Sequence, residues 1–423
     1  MRNRVVITGL GVAAPNAVGV PSFMAAIRAG QSGITFQPEL AELKFSCQVG
    51  GTPPVTETTK QQYFSELQLR QLTSSGVIYG VIAGMEAWQN AGLPTTGDEP
   101  DWDSGIVFGT GLLGIDKIRE SIYKVDEGQV RRLGSTAVVQ TMASGVSAYL
   151  GGMIGCGNQL TANSSACATG TEALLLAYDR IANGDAIRML AGSCSDHGPY
   201  VWGGFDAMRV MPYQYNDSPE RASRPLSASA SGFVPGSGAG ALVLESLESA
   251  LARNAPIYAE VLGGHLNSGG QRGGGSMTAP NATAVKRCIE KAMEQAGIQA
   301  ADIDLIDGHL TATTKDSAEV SAWCEALGRS GSDFPYINSL KSMVGHCLAA
   351  AGSIECVAAV LELAEGFIYP SVNCEDLHPE VSELIAPERV PQQTINRAIQ
   401  VIAKANFGFG DVNACVMLKK FQR

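Results

Sequence analysis

The chain has 423 residues, of which 45% are apolar and 17% charged, and it carries a formal net charge of −11. That composition belongs to a well-buried enzyme-sized chain, long enough for two domains or one large duplicated one, and excludes a disordered or fibrous protein. The acidic balance argues against nucleic acid or an anionic membrane as principal partner, and no apolar run reaches the roughly 18 residues of a membrane span.

Residues 4–8 predict a buried strand ending at Gly9-Leu10-Gly11, with a short helix over 23–29. The segment Met1–Gly9 has no apolar core long enough for export. The ten cysteines show no CxxC pair, zinc spacing or disulfide framework, which points to the reducing cytoplasm and to no metal site. Gly9-Leu10-Gly11-Val12-Ala13-Ala14 lacks the third glycine and the downstream acid of a dinucleotide fingerprint, so that reading is rejected. Residues 38–66 look like polar surface excursions, 73–91 an apolar helix, and 104–109 a strand running into a glycine loop at 110–114. An apolar alternating run over 154–160 leads into Asn163-Ser164-Ser165-Ala166-Cys167-Ala168-Thr169-Gly170, and helical composition then continues to Asn183-Gly184.

Strands follow at 186–191 and 239–245, separated by a loop rich in Pro, Asn and Ser over 212–231, and a short helix runs to 252. From 255 the pattern begins again. A strand to 261, helix 284–296, strand 304–306, helix 317–327, strand 336–339, helix 352–364 and strand 401–405 come in order, with strand-like 414–418 at the end. Gly170-Thr171-Glu172-Ala173-Leu174-Leu175 and Gly352-Ser353-Ile354-Glu355-Cys356-Val357 share a glycine, an acid and an apolar stripe. With the βα alternation, this predicts a duplicated α/β architecture with halves at 1–253 and 254–423.

Cys167 is expected at a strand-to-helix turn, where free N–H groups and the helix dipole would favour a thiolate. His309 and His346 each follow a predicted strand, where open α/β folds collect active groups, and Lys341 stands close to the second. Either histidine alone could be a satisfied core residue; together with Lys341 and a helix-opening cysteine they form a constellation. His197 and His378 look like loop residues and are given no role. In Asn406-Phe407-Gly408-Phe409-Gly410-Asp411, alternating glycine and aromatic residues predict a tight turn, either a plain hairpin or a backbone N–H aimed at an oxyanion.

Taken together, Val6-Ile7-Thr8-Gly9-Leu10-Gly11-Val12, Met142-Ala143-Ser144-Gly145, Ser164–Gly170 and Asn406–Gly410 resemble the β-ketoacyl-(acyl carrier protein) synthases, condensing enzymes of the thiolase fold, over essentially the whole chain. The resemblance implies duplicated halves layered α-β-α-β-α and a Cys-His-His site. In it Cys167 holds the acyl chain, while His309 and His346 bind the thioester carbonyl of a malonyl extender as carbon dioxide departs. It further implies that the N–H groups of Cys167 and Phe409 form the oxyanion hole, that Lys341 pairs with Glu319, and that Thr311 and Thr313 hold the phosphopantetheine arm. Phe407 would be an aromatic gate and Leu112 would line the acyl pocket. No free cofactor is implied, because the substrates arrive on acyl carrier protein. Arg70, Arg131 and Arg132 are the candidates for docking that acidic carrier.

The chain also departs from the family pattern. Leu310 and Ala312 stand where glycines are usual, the stretch from His309 to Asp316 is one residue shorter, and residues 224–238 keep their glycines but lose the usual Asp, Arg, Asp and Glu. These departures suggest a divergent subgroup making aryl polyene or flexirubin-like pigments, with housekeeping fatty-acid elongation as the alternative. A thiolase would want a second catalytic cysteine, for which Cys415 is the only late candidate and reads as core. A non-catalytic subunit would not need the retained Cys and His residues. The family forms dimers, and either a homodimer or a heterodimer with a chain-length-factor-like paralogue is compatible with the sequence.

Overall fold

The computed structural model describes residues 2–422; Met1 and Arg423 lie outside the described residues. The first half contributes strands β1 (Val5–Ala14), β2 (Ser104–Thr110), β3 (Leu160–Thr161), β4 (Arg188–Ser195) and β5 (Gly238–Ser246). The second contributes β6 (Ala259–Ser268), β7 (Leu305–Asp307), β8 (Tyr336–Asn338), β9 (Val401–Gly408) and β10 (Val412–Lys420). The spatial order is β3-β2-β4-β5-β1 in the first half and β8-β7-β9-β10-β6 in the second. In both halves the second strand is parallel to its two neighbours and the remaining pairings are antiparallel. The same order and the same directions occurring twice establish the duplication. The halves join where β1 and β6 pair along Val5–Ile7.

Between the half-sheets lie two helices, α1 (Thr169–Ala182) and α2 (Ala351–Glu365), apolar over most of their surface and buried together in the central core. A helix flanked by sheet on both sides must be apolar nearly all round. Outer helices cover the far faces: Ser75–Asn90 over the first half and Ala282–Ala296 over the second. The layers are therefore α-β-α-β-α. The central pair touches through backbone, since a Cβ at Gly170 would lie 2.1 Å from Ser353 N, and one at Gly352 would lie 2.6 Å from Thr171 N. Gly170→Ala is therefore expected to cost about 3 kcal/mol through overpacking, read as a fall in Tm; an unchanged melt would mean that the helices part freely.

Several sequence expectations need correction. β1 does not end at Gly9-Leu10-Gly11 but runs on to Ala14. Those glycines are not a turn: a Cβ on them would meet Ala87 O at 2.2 Å and Ala83 O at 2.0 Å, so they admit the outer helix against the strand. The alternating run at 154–160 is mostly not strand, because helix Gly145–Ile154 ends there and β3 is only Leu160–Thr161. Residues 38–66 include short helices at Pro38–Glu42 and Glu57–Gln61, and Val49–Gly51 pairs with Ile34–Phe36.

Candidate active site

Cys167 sits in a short 3₁₀ turn, Ala166–Ala168, that runs directly into α1. Ala166 has φ 49°, a conformation costly for a residue with a Cβ. The turn is held by Thr169, whose Oγ1 accepts from Ser165 N at 2.9 Å and donates to Ala166 O at 2.6 Å. The end of β9 presses against it, since a Cβ on Gly408 would lie 3.1 Å from Cys167 N. The N–H groups of Phe409 and of Cys167 itself both point at the thiol, and with Lys341 they favour the thiolate; burial outweighs them and pushes the thiol up to about 11. The expectation that the helix end would leave a thiolate is thus reversed by desolvation. The neutral thiol is therefore the dominant form at neutral pH. Alkylation of Cys167 by iodoacetamide should accordingly rise about tenfold per pH unit from 7 to 10, and a rate already flat at pH 7 would contradict this.

His309 follows β7 and His346 follows the helical turn Lys341–Val344; both are buried. One donor atom from each lies within 4.8 Å of the others and of the Cys167 sulfur, so a single reacting group can touch all three. The imidazole rings meet edge to face with centroids 5.5 Å apart. Their tautomers follow from their partners. His346 Nδ1 accepts the Leu348 N–H at 3.1 Å, which leaves its proton on Nε2. Asn406 has its Oδ1 occupied by the Thr171 hydroxyl at 2.6 Å and its Nδ2 donating to Glu355 at 2.9 Å, so that same Nδ2 faces His309 Nδ1, 3.3 Å away, as a donor. Burial, followed by the Lys341 charge, holds His346 down to about 3 and His309 well below its ordinary value. Both rings are neutral Nε2–H donors at physiological pH.

The partner of Lys341 is not Glu319. Lys341 Nζ binds Glu355 Oε1, with both side chains buried. Glu319 instead accepts the backbone N–H of His309 at 2.7 Å and of Leu310 at 2.8 Å, which fixes the histidine loop, and burial raises it to about 7. Both Glu319 oxygens are thus turned to the peptide N–H groups of the histidine loop, and Lys341 is turned to Glu355. Leu310 and Ala312 keep φ at 23° and 61°, the left-handed region that a glycine enters freely. Asp316 pins this loop by accepting from Thr311 N at 2.9 Å and Ala312 N at 3.1 Å.

Sequence reasoning passed over Glu355, Asn406, Asp307 and Lys404, all buried beside the histidines. One signal was available: Glu355 is an acid on a helix otherwise apolar from Ile354 to Leu361. Phe407 and Phe409 occupy different settings. Phe407 is locked in β9 opposite Asn413, its ring 6.1 Å from His309. Phe409 is half-buried on the turn beyond the strand and 6.2 Å from Phe205, so it is the aromatic freer to swing. Thr311 and Thr313 are half-buried, hydroxyl to hydroxyl at 3.0 Å, on the loop leaving His309. Leu112 is exposed on the chain surface after β2 and does not line the interior of this chain. Arg70 lies 3.8 Å from Glu66, while Arg131 and Arg132 share the exposed turn Val130–Arg132. Residues 224–238 recover part of their lost charge pairing from a distance, since Arg224 binds Glu375 at 2.9 Å and Asp376 at 3.0 Å.

The N-terminal domain model of β-ketoacyl synthases matches residues 2–250 and the C-terminal domain model matches residues 258–375. The 3-oxoacyl-[acyl-carrier-protein] synthase 2 of Vibrio harveyi is 33% identical, with 99% of each chain covered. A crystal structure of a β-ketoacyl synthase from Burkholderia phymatum superposes with a TM-score of 0.90 at 27% identity, covering 99% of this chain and all of the other. A type II polyketide ketosynthase, solved in complex with its acyl-carrier protein and bound to the hexaketide, gives 0.87 at 28% identity over both full chains. The twice-repeated sheet order, the thiol between two neutral imidazoles and these matches along the chain agree: this protein belongs to the β-ketoacyl synthase family.

Proposed function

We propose that the chain joins an acyl group held on Cys167 to malonyl-(acyl carrier protein), with loss of carbon dioxide, to give 3-oxoacyl-(acyl carrier protein). The observation that carries this reading is the pair of buried, neutral Nε2–H imidazoles close to the thiol. In the first half-reaction Sγ bonds to the acyl carbon as the carrier thioester breaks, and the departing pantetheine sulfur takes the proton that the thiol gives up. The Cys167 and Phe409 N–H groups hold the oxyanion of the tetrahedral intermediate. In the second, the malonyl C–CO₂ bond breaks and its electron pair forms an enolate, whose oxygen accepts from His309 and His346. The enolate carbon attacks the acyl carbon, and Sγ leaves as a thiolate that regains a proton from solvent. No proton has to be delivered in this step, because the breaking C–CO₂ bond itself supplies the electron pair of the enolate.

The partner is acyl carrier protein, met at Arg131 and Arg132 with Arg70 nearby, and Thr311 and Thr313 grip the pantetheine arm. The enzyme acts as a dimer, and Leu112 lines the acyl pocket where the second subunit closes over it. Exchanging Arg131 and Arg132 for Glu should raise the carrier's apparent KM about tenfold with kcat preserved; an unchanged KM would remove these residues from the docking surface. A thiolase reading is disfavoured, because Cys415 lies within β10, buried opposite Ala405. Turnover of malonyl carrier with saturated and polyunsaturated acyl carriers, followed by mass of the product, tests the assignment. A 3-oxoacyl product supports it, preference for polyunsaturated chains supports the pigment pathway, and no product from either, with the chain alone and with a paralogous subunit added, refutes it.

A further inference from the structure

Lys404, on β9, is fully buried and plays no part in the chemistry described so far. Its Nζ lies 2.6 Å from Ala405 O, 2.7 Å from Glu355 Oε2, 3.2 Å from Asp307 Oδ1 and 3.5 Å from Asp307 O. Four oxygens thus surround one ammonium group, with no solvent in reach. The same Glu355 Oε2 accepts from Asn406 Nδ2, which faces His309 Nδ1, while Glu355 Oε1 binds Lys341. Lys341 and Lys404 offset Asp307 and Glu355 charge for charge, which is what makes so buried a cluster tenable. Burial would raise Glu355, but Lys341 and then Lys404 outweigh it and hold it ionised.

We propose that Lys404 is a positioning residue for the extender half-reaction: a tethered cation that fixes Glu355, and through Glu355 the Asn406 amide that sets the tautomer and tilt of His309. The inference rests on the role given to His309 above. With Lys404 absent, Glu355 has one lysine instead of two, Asp307 has none, and the Asn406 amide is released from one side. Cys167 acylation uses the thiol and the two backbone N–H groups, none of which touches Lys404, so it should be spared.

The test separates the half-reactions in the full-length Lys404→Ala and Lys404→Met variants. Acylation of Cys167 is followed by intact mass, and decarboxylation of malonyl carrier by release of carbon dioxide. Decarboxylation and condensation should fall about ten- to a hundredfold, while acylation stays within about threefold. Lys404→Ala vacates the ammonium position among its four oxygens, together with the space of three methylenes. Ammonium or methylammonium chloride should therefore restore decarboxylation saturably, whereas tetramethylammonium chloride, which has no N–H, should not. Lys404→Met fills the cage and keeps the packing volume, so it should resist rescue and guards against misfolding in the alanine variant. Equal losses in both half-reactions, no loss in either, or rescue by tetramethylammonium as good as by ammonium would overturn the proposal. His309→Ala is the control for the underlying reading: if it decarboxylates like wild type, the role of His309 fails whatever Lys404 does.

Discussion

Cys167→Ala is expected to abolish condensation, with a loss of more than about 10³-fold, while malonyl decarboxylation persists. The reasoning is local. Cys347, the cysteine nearest in sequence to His346, does not offer a substitute acceptor, because it is buried with its thiol donating to Val344 O. The two histidines hold their tautomers through Asn406 and the Leu348 N–H, and neither contact involves Cys167. The extender site therefore survives removal of the sulfur. Product analysis of the variant checks both halves: 3-oxoacyl product at the wild-type rate would remove Cys167 from the mechanism, and loss of decarboxylation as well would mean that the thiol shapes the histidine pair.

The second large effect belongs to the histidines. His309→Ala and His346→Ala should each lower decarboxylation about 10²- to 10³-fold, the usual consequence of deleting one oxyanion donor in a water-poor site. Asn can present an N–H near Nδ1 but not at Nε2, so His→Asn should rescue little. The pH profile carries a sign that can be checked. Both imidazoles are pushed down, His346 to about 3, so no activity should be lost between pH 8 and pH 5 through their protonation. An imidazolium that delivered a proton would instead switch on as pH fell through about 6.5. Decarboxylation measured apart from acylation isolates this limb, because the Cys167 thiol titrates in the opposite range.

Much of the architecture was legible because the central helices announce themselves. Gly170 and Gly352 each open an apolar helix, and each glycine is needed where the two helices meet backbone to backbone. Gly9 and Gly11 misled for the same reason: a glycine marks close approach as often as a turn, and only the helix behind the strand tells the two apart. The sulfur and imidazoles were legible by residue type and by their place at element ends. The charges behind them were not. Glu319 and Glu355 are both helical acids, yet one faces two peptide N–H groups and the other faces two lysines. Lys404 lies in a strand whose neighbours are apolar, and its partners Asp307 and Glu355 come from other elements, so no local period could reveal it. Phe407 and Phe409 are two residues apart, and only the end of β9 decides that the second stands on the turn.

The measurement that bears most directly on the account is the intact mass of the protein after incubation with an acyl-carrier thioester, followed by peptide mapping. A gain equal to the acyl group, located on Cys167 and absent from Cys167→Ala, is the expected result. No gain, from the chain alone or with a paralogous subunit added, or a gain on another cysteine, would contradict it.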